Sequence, residues 1–104
     1  MSLMQGRGGV PHVFRDTISA AGRAHQFPFV CNFLQVRAES GEAVRVFFTE
    51  ADYLAGTDYV VAPLPTSTYP YGEWSGPVEV SGVWLKSASA TPAAMSLVAY
   101  QRRG

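Results

Sequence analysis

The sequence is short of charge. Only 15% of its 104 residues are Asp, Glu, Lys or Arg, against 47% hydrophobic ones. An average globular domain carries about 25% charged residues. Eight basic and eight acidic residues cancel to a net charge of zero, and neither sign forms a block. Generic nucleic-acid binding needs a basic patch to neutralise phosphates, and none is legible here. A single cysteine, Cys31, excludes an internal disulfide and is compatible with a reducing cytoplasm. No apolar run reaches the roughly 18 residues of a membrane-spanning helix. The opening "MSLMQGRGGVPHVFRD" lacks an apolar core, so a secretory signal is not expected. Helical periodicity is scarce throughout.

The length fits one domain with its own core. A surface this poor in charge suits a protein packed against others. An ordinary Ser/Thr/Gly-coated β domain would look the same. Residues 1–9, "MSLMQGRGG", hold three glycines and no pattern, and read as a flexible arm carrying Arg7. The β domain is then expected over residues 10–104.

Ten glycines and seven prolines punctuate short β-branched and aromatic runs. That is the pattern of a sandwich or barrel of about six to eight strands. Within 29–38, Leu34, Val36 and Ala38 alternate with Gln35 and Arg37. Within 42–49, Val44, Val46 and Phe48 alternate around Arg45. Period-two alternation marks half-buried strands. The intervening "ESG" reads as a hairpin loop, with Gly41 at positive φ. In "TEADYLAGTD", Thr49 is placed to cap a helical turn, with Glu50 and Asp52 at its positive end and Gly56 as its stop. "DYVVAP" at 58–63 is a strand closed by proline. Residues 63–77 read as a long loop, 78–86 as a strand bulged at Gly82, and 94–103 as the last strand. The segment 12–23 supplies one or two strands more.

No catalytic constellation emerges. The acids Glu50, Asp52 and Asp58 lack the order of a calcium loop. His12 and His25 have no carboxylate or second histidine at a zinc-ligand spacing. Cys31 sits inside an apolar strand and reads as a buried thiol. Phosphate-loop, nucleophile-elbow and HExxH patterns are missing. Catalytic, metal and cofactor-binding residues are therefore expected to be none. The best contact candidates are Tyr69, Tyr71 and Trp74 of the 63–77 loop. Such rings anchor protein interfaces, cap the core, or stack on sugars, and the sequence leaves all three open. Arg7, Arg102 and Arg103 join them as protein-interface candidates, at basic ends too sparse for a nucleic-acid patch.

Three segments carry a family likeness: "VRVFFTEADYLAGTDYVVAP" at 44–63, "EWSGPVEVSGVWLKS" at 73–87 and "LVAYQRRG" at 97–104. Their arrangement resembles the small β-sandwich virion proteins of tailed bacteriophages, in particular capsid decoration (cement) proteins. The likeness covers roughly the last two thirds of the chain and none of residues 1–28. It implies an all-β, single-domain antiparallel β-sandwich of jelly-roll type, with no enzymatic activity. It implies a homo-oligomer, often a trimer, on the capsid surface of a virion after synthesis in the host cytoplasm. Its partners would be the major capsid protein or other virion proteins, with no membrane and no direct nucleic-acid contact. A tail, baseplate or head-tail component is the alternative within this class. A carbohydrate-binding module using the 69–74 aromatics is the alternative outside it.

Overall fold

A computed structural model describes residues 9–64 and 72–102. The chain folds as an all-β protein with one short helix. In order, the elements are β1 (Gly9–Ile18), β2 (Arg23–Ala38), β3 (Val44–Phe47), α1 (Glu50–Ala55), β4 (Tyr59–Ala62), β5 (Gly72–Ser87) and β6 (Ala93–Arg102). All strand pairings are antiparallel and belong to one six-stranded sheet, ordered β1-β6-β2-β5-β3-β4. The antiparallel all-β class expected from the sequence is what the chain adopts. Two separate sheets with jelly-roll connections are not delineated among the described residues.

β2 and β5 each run for 16 residues. A straight strand of that length spans about 50 Å. The described chain measures only 40 × 35 × 20 Å, so these strands must bend. The bend falls where their register slips between Gln26/Gly82 and Cys31/Val80. Residues 27–30 there face Ser81 alone, so the surplus lies on β2. The sequence located this break at Gly82 but gave the bulge to β5. Beyond the bend, β5 leaves the β2 partnership of residues 72–80 and pairs with both β2 (23–26) and β3. The sheet thus folds across itself around one core.

Alternation decides which side chains enter that core. Leu34, Val36 and Ala38 of β2, Val44 and Val46 of β3, and Leu97 and Ala99 of β6 are fully buried. At roughly 25 cal/mol per Å² of apolar surface, this inward set dominates stability. From β1, Phe14 lies 5.6 Å from Phe27, and His12 stacks on Phe29 at 4.5 Å. These contacts close β1 over the first half of β2.

The expected 29–38/42–49 hairpin does not form. β5 lies between β2 and β3. Alternation identifies the buried face of each strand, but two strands with matching faces need not be neighbours. Gly41 is not at positive φ; the glycines that are, Gly22 and Gly56, occupy other turns. The "ESG" segment instead crosses the end of the sheet. Glu39 N donates to Ala94 O at 2.8 Å, Ala94 N to Ser40 Oγ at 3.0 Å, and Ala88 N to Ala43 O at 3.0 Å. Of the consecutive strands, only β3 and β4 are adjacent. α1 joins them with the expected caps: Thr49 accepts from Asp52 N, and Gly56 at φ 73° donates to Asp52 O.

Candidate interaction surfaces

The acids around α1 serve the turn. Asp52 accepts from the Thr49 hydroxyl at 2.9 Å and from the Thr57 hydroxyl at 3.4 Å. Glu50 and Asp52 lie in the first turn, where the helix dipole favours negative charge. Asp58 holds φ 51°, a conformation Asp tolerates better than most residues. α1 itself covers part of the sheet. Tyr53 sits edge-on to Phe47 at 5.8 Å, and Tyr59 lies 5.1 Å from Phe47 on the other side. Lys86 places its ammonium 5.0 Å from the Tyr53 ring, and Arg45 its guanidinium 5.0 Å from the Tyr59 ring. The result is an aromatic patch edged by two cations. Tyr59 and Val61 remain exposed on β4, and Leu54 of α1 is 74% exposed.

The other broad surface is the outer side of β1, β6 and β2. There Val13, Arg15, Gln35, Arg37, Glu39 and Val98 line a shallow depression of about 210 Å³. Arg37 pairs with Glu73 at 3.4 Å, and Ser96 donates to Glu39 at 3.0 Å. With acids beside its bases, the depression offers no concentrated charge for a phosphate. Val13 is 58% exposed on its rim.

Between β1 and β2 lies a pair that spacing in the sequence concealed. His25 Nε2 is 3.0 Å from Asp16 Oδ2, and Arg23 Nη1 is 2.9 Å from the same oxygen. Asp16 also accepts from Thr17 N at 2.7 Å. Burial pushes the Asp16 carboxyl up, but the Thr17 amide, His25 and Arg23 outweigh it and hold it below its usual range. The sequence spacing around His25 offers no zinc site, and the carboxylate that the fold brings to it makes an ion pair instead. Only the fold brings residues 16 and 25 together, through a turn that no ligand spacing describes. His12 bonds to Gln101 Oε1 at 2.9 Å. Among the described residues, no three His, Cys, Asp or Glu side chains gather into a metal-sized group.

Cys31 is fully buried, as its apolar strand implied, and its thiol donates to Phe33 O at 2.9 Å. Burial raises its pKa, so the nucleophilic thiolate is disfavoured.

Of the contact candidates, Tyr69, Tyr71, Arg7 and Arg103 lie outside the described residues. Trp74 is not on a loop. β5 already begins at Gly72, and Trp74 pairs with Val36 across the ladder. Its ring is half-buried against the core, 5.6 Å from Phe48. That packing fits the core-capping role among the three open to the ring. Arg102 is paired with Glu79 at 2.8 Å on the exposed end of the sheet. Such a pair contributes about 0–1 kcal/mol. No family model and no curated protein sequence matches the chain.

Proposed function

We propose that the chain is a non-enzymatic structural protein of a bacteriophage virion, acting as a decoration or cement protein on the capsid surface. The observation that carries this reading is the placement of exposed apolar side chains at both margins of one sheet. Val10 and Val13 stand on β1 at one margin, and Tyr59 and Val61 on β4 at the other. A protein that bridges neighbouring subunits needs two separated contact surfaces on a stiff frame, and linked contacts raise avidity beyond either one. Exposed valines and a tyrosine on strands supply contact area without the cost of ordering a loop. The low charge and the three sequence segments support the phage virion class.

The test is co-sedimentation with assembled capsids that lack decoration protein. The wild type is expected to load to saturation. Val61→Lys is expected to weaken loading about tenfold, the effect of losing roughly 1.4 kcal/mol at one buried contact. Binding to purified tails with none to capsids would move the protein to the tail or baseplate. Binding to a glycan array with none to either particle would replace the virion reading with a carbohydrate-binding one.

A further inference from the structure

The two edges of the sheet are not equally protected. β4 is four residues long and runs into Pro63. Short edges followed by proline resist strand addition. β1 is ten residues long and, among the described residues, pairs on one side only, with β6.

Which backbone groups of β1 face outward follows from two observations. Successive amides of a strand point to opposite sides. Thr17 N donates to the carboxylate of Asp16 at 2.7 Å, so it is turned away from β6. Pro11 has no N–H, and proline in a sheet is tolerated where its nitrogen faces the free edge. Residues 11 and 17 have the same parity and agree. Val13 and Arg15 share that parity. Their N–H and C=O groups therefore face outward, between a proline and an amide already capped by a side chain. Among the described residues, the edge is blocked at both ends and open in the middle.

We propose that this window is the contact between two copies of the chain, joined antiparallel through β1 about a two-fold axis at Phe14. In this register Val13 faces the partner's Arg15, and Arg15 faces the partner's Val13. Each pair exchanges two backbone hydrogen bonds. Pro11 faces the partner's Thr17, so the two positions without a free donor oppose each other. On the outer face Arg15 meets the partner's Val13, so no like charges oppose. Shifting the axis to Val13 would set Pro11 against the partner's Arg15 and leave that pair one donor short. The contact also covers Val13, 58% exposed, and Val10, 40% exposed. It stands on the edge geometry and does not depend on the virion role. In the dimer the β1 valines are used between copies, and the two β4 margins, with Tyr59 and Val61, remain as the separated contact surfaces.

Sedimentation velocity on the full chain, over a range of concentrations and without any capsid, tests this. The wild type is expected to dimerise. Val13→Lys, a change at an exposed side chain, is expected to shift the dissociation constant at least tenfold toward monomer while the far-UV circular dichroism of the folded chain stays unchanged. Disulfide trapping under a mild copper-based oxidant then reads the register. Val13→Cys mixed with Arg15→Cys is expected to cross-link through opposed Cα atoms about 5.5 Å apart, and faster than either variant alone. A wild type that stays monomeric, a trimer, a dimer indifferent to Val13→Lys, or Val13→Cys that cross-links fastest with itself would each overturn the proposal. Failure to bind capsids would leave the dimer intact and sink only the virion reading.

Discussion

His25 on β2 and Asp16 on β1 are nine residues apart in sequence and 3.0 Å apart in space. They join strands that do not share a ladder: β6 intervenes on one side of β1 and, among the described residues, no strand pairs on the other. The contact is therefore carried by side chains, and it fastens the edge strand to the folded-over half of β2. Phe14 supports it, 6.2 Å from the His25 ring and 5.6 Å from Phe27.

Asp16 makes stability depend on pH. Its pKa in the folded chain lies below the ordinary 3.8. A depressed carboxylate stabilises the fold above its unfolded pKa, and the gain is lost as pH falls through the folded value. Asp16→Asn is expected to cost about 1–2 kcal/mol at neutral pH. Urea melts of both proteins should show that gap closing as pH falls below the ordinary carboxylate range. A gap that persists unchanged in acid would show that Asp16 acts through shape and not charge.

Three glycines should respond differently to alanine. At Gly72 a methyl group would overlap the Pro63 carbonyl. At Gly22, with φ +89°, it would meet Leu85 O and Lys86 Cγ at 2.7 Å and the Tyr53 ring at 2.8 Å. Nothing lies within 4 Å at Gly41. Gly72→Ala and Gly22→Ala are expected to destabilise by about 2 kcal/mol or more. Gly41→Ala should be neutral or stabilising by up to about 1 kcal/mol. Thermal melts rank the three, and a Gly41 variant as damaged as the Gly72 one contradicts the account.

α1 should matter through Phe47 and not through Leu54. Phe47 is fully buried beneath Tyr53 and Tyr59, whereas Leu54 points to solvent. Phe47→Ala is expected to cost about 3–5 kcal/mol, and Leu54→Ala under about 0.5 kcal/mol. Thr49→Ala should cost about 1 kcal/mol through the lost cap. Denaturant unfolding of the three variants decides it; equal losses for Phe47 and Leu54 would mean that α1 packs differently.

Cys31 reports opening of the core. Its thiol is buried, its pKa is raised, and its hydrogen is committed to Phe33 O. Labelling with a chromogenic disulfide reagent is expected to be slow in buffer and to follow unfolding as urea rises. Stoichiometric reaction on mixing would show that solvent reaches the thiol in the native state.

Local signals were readable because local physics sets them. The Thr49 and Gly56 caps depend on residues a turn apart, and α1 begins and ends where they place it. The inward set Leu34, Val36, Ala38, Val44 and Val46 follows from the pleat of a strand, whatever its neighbours. Cys31 is buried because its strand is apolar. Partner choice has no such local origin. Nothing in 29–49 says that β5, some 25 residues further on, inserts between β2 and β3. That order is fixed by closure of the whole core, which places Trp84 and Leu85 of β5 against Phe47 and Val46. Trp74 was misplaced for the same reason. The glycines and prolines around it read as a loop, but pairing with Val36 extends the ladder back to Gly72. The Asp16–His25 contact and the open window at Val13 and Arg15 belong wholly to the tertiary structure. The sequence determined which side chains leave water; only the folded sheet decided which strands lie side by side and which edge is left without a partner.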